Sequence, residues 1–346
     1  VAVAALALAL AALAACTADG RGAGDDGPGG SDPVATRPTP GLSRCDPLRT
    51  RDVRGRPPGY LADTLGTRLT PLAISTAVCG GRWLPRMQSG FIPQGVAVSG
   101  DTAWVSGYDP GPVSRRFCRL LKVDLASGEL IDEEAPVAGA VGTGPVVECR
   151  HGGGVLLDEH GLWLAESPRL WLLDPGSLAV RRVWRLDDPV QGSFSVLDGR
   201  GRLGLGRFRS PGGNPGQPGR PALDWFDLDD VLAPGTSVLD TDLAVGSRSI
   251  PRLAQGGMWA RIDGRTGLWI ASSVTRCGVL TGPGGVRRAF LPGAEGLAPA
   301  GDGTVWAVSE STGRRFAEEG GRPVVAPLTL VDTRRFDRWP EPTCEP

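Results

Sequence analysis

Five polar–glycine pairs punctuate the chain: Gln94-Gly95, His151-Gly152, Gln191-Gly192, Gln255-Gly256 and Glu295-Gly296. Amide, imidazole and carboxyl side chains gathered in one place can hydrogen-bond a polar molecule or offer oxygens to a hard cation. The glycine beside each lets the chain pass a crowded position that a Cβ would block. Further polar groups close apolar runs: Tyr108, Asp109, Glu166, Arg207, Glu310 and Arg314. Two accounts fit this mixture. The groups form a pocket for a small polar ligand, or they solvate loops and pair with one another.

The catalytic sets are incomplete. His151-Gly152-Gly153-Gly154 resembles the oxyanion-hole motif of some lipases and esterases, but the G-x-S-x-G elbow those enzymes need is missing. His160 lies in a turn and reads as a solvated residue. With two His and no C-x-x-C pair, zinc is not expected. The run Asp227-Leu228-Asp229-Asp230 lacks the Gly and distal Glu of a calcium loop and reads as a solvated turn. Glu295 with Glu166 or Glu310 offers carboxylates to a hard cation, yet no spacing fixes their convergence. We expect no catalytic residue, no metal and no cofactor.

The elements that position these residues come from a repeat. A first apolar segment, a Gly/Asp turn and a second apolar segment recur five times: GVAVSGDTAWVSGYD at 95–109, GVLLDEHGLWLAES at 154–167, FSVLDGRGRLGLGRF at 194–208, MWARIDGRTGLWIASS at 258–273 and GLAPAGDGTVWAVSES at 296–311. Each is a β-hairpin with its turn chemistry. Trp104, Trp163, Trp269 and Trp306 fall at equivalent places, with Gly204 standing in for Trp in the third copy. A third segment ends at Asp124, Asp174, Asp227 or Asp332, and a further β-rich stretch such as 181–186 follows. Four strands per unit, at a spacing of about 50 residues, describe an all-β propeller. The Trp residues read as packing between blades. Five blades are visible, and a sixth is left open in 60–81 or in the insertion 207–221. The segment 82–94 reads as the strand that completes the last blade and closes the ring.

These hairpins resemble bacterial propellers of the NHL and gluconolactonase-like type over about 250 residues. The resemblance implies one loop face that gathers the starts of innermost strands and the ends of second strands. On that face stand Gln94, His151, Gln191, Gln255 and Glu295, together with Tyr108, Glu166 and Glu310. Cys149 lies before the first strand of copy two and Cys118 begins the third strand of copy one, so both reach this face in neighbouring blades and are expected to pair. Gluconolactonase-like enzymes hold a metal with carboxylate and Asn ligands. Here the only Asn, Asn214, falls in a Pro/Gly-rich insertion and does not supply that pattern.

The N-terminus supplies an address. Residues 1–15 are uninterrupted Ala, Leu and Val; such a helix rises about 22 Å, short of the roughly 20 residues a bilayer core needs. It reads as the h-region of a signal peptide, truncated because no charged n-region precedes it. Leu13-Ala14-Ala15-Cys16 resembles the bacterial lipobox, which implies diacylation of Cys16 and a membrane anchor. Residues 16–55, rich in Gly, Pro and Asp, read as a disordered tether, and 56–346 as the propeller domain. Removing Cys16 from seven cysteines leaves six, an even number that suits disulfides outside the cytoplasm. The pairing of Cys45, Cys79, Cys277 and Cys344 is left open, as is the oligomeric state. A net charge of −1, from 37 basic and 38 acidic residues, gives no footprint for nucleic acid. The expectation is a lipid-anchored module on the outer face of the cell membrane that binds a cell-envelope protein or a small polar ligand without catalysis. The alternative is a metal-dependent lactonase or related hydrolase working in the propeller channel.

Overall fold

The computed structural model describes residues 48–61, 72–112, 115–210, 220–318 and 326–346. Five antiparallel sheets follow one another along the chain, and their innermost strands touch in a closed cycle. Blade 1 comprises Ile92–Ser99, Thr102–Asp109, Phe117–Asp124 and Leu130–Glu134. Blade 2 comprises Val155–Leu157, Leu162–Glu166, Arg169–Leu173 and Val180–Leu186. Blade 3 is built from Phe194–Leu197, Arg202–Arg207, Ala222–Asp227 and Gly246–Ser249. Blade 4 is built from Ala254–Ile262, Arg265–Val274, Cys277–Thr281 and Arg287–Ala289. Blade 5 takes Ala294–Gly301, Thr304–Ser309 and Leu328–Asp332 from late in the chain and its fourth strand, Val78–Arg82, from the beginning. The protein is a five-bladed β-propeller.

The closing strand lies upstream of the segment expected from the sequence. Val78–Arg82 pairs with Leu328–Asp332, with Gly80 opposite Leu330 and Arg82 opposite Leu328. Residues 83–91 are instead a connection. Arg86 and Gly90 adopt positive φ around a short 3-10 turn at Met87–Ser89, which a strand cannot accommodate. Arg82 is the one residue common to both segments.

Apolar side chains at alternate strand positions meet between neighbouring sheets, so each blade junction holds its own core. Met258, Trp269 and Leu280 of blade 4 pack on Leu297, Val305 and Val331 of blade 5. Val96, Val105 and Leu121 of blade 1 pack on Trp306, Val308 and Leu330 of blade 5. The repeated tryptophans are the bulk of these contacts, since Trp163 and Trp269 are fully buried and Trp104 and Trp306 nearly so. In blade 3 the Trp position is transferred rather than lost. Trp225 on the third strand stands opposite Gly204, and a Cβ on Gly204 would lie 2.9 Å from the Trp225 ring.

Blade 3 departs from the repeat after its third strand. The run expected to be a solvated turn instead opens a short helix, α1 (Leu228–Leu232), with Asp227 at its N-cap. The helix buries Val231, and the Val231 carbonyl accepts the Trp184 indole N–H at 2.9 Å. Apolar Leu228, Val231 and Leu232 thus cover the edge of blade 2, an apolar demand that an exposed turn would not meet. Val238–Leu239 then pairs parallel to Val180–Leu186 and gives that blade a fifth strand. Only after this excursion does Gly246–Ser249 complete blade 3.

Two disulfides brace the ring. Cys118–Cys149 links the third strand of blade 1 to the loop leading into blade 2, the pairing expected from strand directions. Cys277–Cys344 ties the C-terminal tail to blade 4, next to Phe336 and Trp339, which pack on Trp269 and Phe290. Cys79 is disulfide-bonded as well. Residues 1–15, Cys16, Cys45 and Asn214 lie outside the described residues. Of the tether expected over 16–55, the last part is described: Val53 is buried, and Arg54 bridges to Arg82. Among the described residues, no helix is long and apolar enough to cross a membrane.

Candidate functional site

Three of the polar–glycine pairs coincide with breaks in strand register. In blade 1, Pro93 faces Gly107 and Gly95 faces Ser106, leaving Gln94 as the extra residue. Gln255 is the extra residue between Ala254 and Gly256, and Glu295 between Ala294 and Gly296. A β-bulge of this kind bends the strand and re-aims one side chain. The glycine that follows fills the crowded axis. A Cβ on Gly296 would sit 2.7 Å from Gly95 Cα and 2.8 Å from Val96 N, and one on Gly256 would collide with the Glu295 carbonyl. Innermost strands therefore touch backbone to backbone at this level, and the bulged polar residues stand at the mouth above. His151 and Gln191 precede their strands without a bulge.

The polar residues divide into two groups. Glu295, Glu310, Gln94, Tyr108 and His151 gather where blade 5 meets blades 1 and 2. Gln94 Nε2 donates to Glu310 Oε2 at 3.2 Å and to its neighbour, the Pro93 carbonyl, at 3.1 Å. Tyr108 and His151 stack with ring centroids 4.3 Å apart, and the Arg116 guanidinium lies 5.3 Å from the Tyr108 centroid. Burial, and next the charge of Glu310, push the Tyr108 hydroxyl up to about 12, so it stays protonated. Surrounding protein, and next Arg116, hold His151 below the usual histidine range, although water reaches its ring. Glu295 is 2% exposed, and its Oε1 has no hydrogen-bond partner. Burial and then the neighbouring Glu310 raise its pKa well above the ordinary glutamate value. Thr312 Oγ1, close by in sequence, is also buried without a partner.

The second group lies toward blades 2 and 3 and is satisfied internally. Glu166 accepts the Arg150 backbone N–H at 2.7 Å, Arg169 Nη1 at 2.9 Å and the Trp171 indole N–H at 3.2 Å. Gln191 donates to Asp188 at 3.1 Å and accepts from Arg209 at 2.8 Å. Arg207 forms a buried ion pair with Asp224 at 2.8 Å. Of the remaining candidates, Gln255 stands half-buried in blade 4 with Glu295 behind its glycine, and Asp109 pairs with Arg119 at 2.7 Å. His160 sits in its turn against Asp158, as expected of a residue without a site role.

The donor sets do not fit a resident metal. Among the described residues, one group of three His, Cys, Asp or Glu ligand atoms converges, Cys118, Cys149 and Glu166. Its two sulfurs are joined to each other and its carboxylate is occupied by three N–H donors. No third such ligand joins Glu295 and Glu310, and the Gln94 amide presents N–H to them where a calcium ion would need six to eight oxygens. Below the ring of glycines, the far end of the channel is an apolar cavity of about 170 Å³, lined by residues such as Val96, Leu156, Val196, Met258 and Leu297. Sequence reasoning passed over Arg116 and Arg209. Both follow or precede hairpin strands in ordinary Arg-containing loops, and only tertiary contact marks them.

No protein-family model matches the chain. No curated protein matches its sequence. Similar solved structures include the calcium-binding protein regucalcin from Agrobacterium tumefaciens, at 12% identity over 70% of this chain and 90% of that one, with a TM-score of 0.39. A luciferin-regenerating enzyme is similar at 11% identity over 69% and 91%, with a TM-score of 0.40. BamB from Moraxella catarrhalis is similar at 17% identity over 64% and 59%, with a TM-score of 0.27. None of these likenesses carries a ligand or an activity over to this chain.

Proposed function

We propose that this protein is a lipoprotein anchored through Cys16 on the outer face of the cell membrane, with 1–15 as its signal peptide and 16–55 as its tether. Its propeller, residues 56–346, is a non-catalytic module that binds a small polar ligand at the loop-rich mouth. The observation that carries the binding reading is Glu295 Oε1, buried and without a partner inside a cluster of bulge-aimed polar groups. A buried carboxyl left unpaired costs about 1–3 kcal/mol or more. Sequences keep such groups where a ligand completes them, and Gln94, Tyr108, His151 and Glu310 surround this one with donors and acceptors. Glu166 and Gln191 border the mouth as supports, and Gln255 extends it toward blade 4. Three cysteine-bonded positions and the lipobox together support an oxidising compartment.

The test is a screen of a metabolite extract against the full chain in detergent, read by thermal shift. A Gln94→Ala/His151→Ala/Gln255→Ala variant should lose the response by at least tenfold in midpoint concentration. A response that survives all three changes places the ligand elsewhere. For the anchor, Cys16→Ser should move the protein from the membrane fraction to the soluble fraction of the producing bacterium.

A further inference from the structure

The mouth between blades 5 and 1 holds two acidic side chains in a largely dry setting, and the fold supplies Glu295 with no counter-charge. Glu295 is 2% exposed with Oε1 unpartnered, and Glu310 is 9% exposed with the Gln94 amide on its Oε2. We propose that Glu295, with Glu310 beside it, receives the protonated amino group of a small organic ligand, with Glu295 Oε1 accepting one of its N–H bonds. This deepens the binding-module reading above and rests on it.

Three features favour an ammonium over other occupants. A divalent cation lacks a third ligating side chain among the described residues, and the Gln94 N–H points at the carboxylates. A neutral polyol would leave two adjacent acids uncompensated, whereas an ammonium neutralises one and brings three donors on a compact head. On the other side of Tyr108 the Arg116 guanidinium supplies positive charge, so the amino end is directed away from Arg116 and toward blade 5. Without ligand, the charged neighbours of Glu295 that also act on Tyr108 are Glu310, Arg116 and Arg315, and burial with Glu310 keeps the Glu295 carboxyl protonated well above its ordinary range. Binding then replaces that proton: the carboxylic acid gives up H⁺ to solvent and the carboxylate pairs with R–NH₃⁺. No other bond changes.

The experiment is calorimetric titration of the full chain in detergent with putrescine, with its neutral isostere 1,4-butanediol, and with calcium chloride. Putrescine should bind at least tenfold more tightly than the diol, with affinity rising from pH 5 to pH 7 and heats that depend on the buffer's ionisation enthalpy because a proton is released. Glu295→Gln, nearly isosteric, should fold as judged by circular dichroism and weaken putrescine at least tenfold. Equal affinity for the diol, no proton release from the wild type, no effect of Glu295→Gln, or calcium displacing putrescine would each overturn the assignment. If putrescine fails while the extract ligand still depends on Gln94, His151 and Gln255, the amine chemistry falls and the mouth remains the binding face. If both fail, the binding-module reading falls too.

Discussion

Glu166 and Glu295 occupy comparable places at the mouth of the same propeller, both 2% exposed, and their surroundings are opposite. Glu166 is surrounded by donors from its own blade and from the loop beside the Cys118–Cys149 bridge. Glu295 meets another acid and keeps an oxygen unpaired. The repeat gives both blades the same scaffold, so the difference lies in what neighbouring strands bring. Blade 2 brings Arg169 and Trp171 from its third strand to Glu166, while Glu295 projects from a bulge at the blade 5–blade 1 junction. One side of the mouth is therefore a structural brace, and the other is available for recognition.

The largest way to break this contrast is Glu166→Ala. It strands Arg169, the Trp171 indole and the Arg150 amide, and removing one partner of a buried ion pair costs about 3–5 kcal/mol. Urea unfolding should show that loss, whereas an unchanged midpoint would mean the three bonds are replaced by water. Opening the adjacent bridge with Cys118→Ser/Cys149→Ser removes a cross-link over a sequence separation of 31. The expected loss is about 3–4 kcal/mol by chain entropy, and the same melts would read it. Next in size is Gly296→Ala. Its new methyl would press on Gly95 and Val96 in the next blade, costing about 1–3 kcal/mol and displacing the two bulges that aim Gln94 and Glu295. A fully stable Gly296→Ala protein would show that the innermost strands are not held at backbone contact.

Much of this scaffold was legible in the chain because each blade repeats its own local chemistry. A Gly/Asp turn, a Trp and a closing Asp write the hairpins, and the polar–glycine pairs mark the mouth because a bulge at a crowded axis requires glycine next to it. Cys118–Cys149 followed from strand direction alone. Features without a local signature were hidden. Val238–Leu239 is two residues long and pairs parallel to a strand of the preceding blade, so no turn residue announces it. The closing strand was misplaced because Trp83 and Leu84 supply strand-like bulk, while the positive φ at Arg86 that breaks the strand leaves no trace in residue type. Which of two similar glutamates is satisfied is likewise a matter of partners up to a whole blade away.

The smallest expected effect is also the most discriminating. Because the folded-state pKa of Glu295 is raised above its ordinary 4.5, the folded state holds the proton more tightly than the unfolded chain. The group's contribution is then intact below about pH 4.5 and is lost as pH rises toward the raised folded value. Glu295→Gln removes that dependence while keeping shape. At pH 4 the variant and wild type should unfold alike, and by pH 8 the variant should be the more stable by on the order of 1 kcal/mol. Denaturant melts at pH 4, 6 and 8 measure this directly. A variant weaker than wild type at every pH would mean that Glu295 has a partner in solution, as Glu166 does, and the two sides of the mouth would no longer differ.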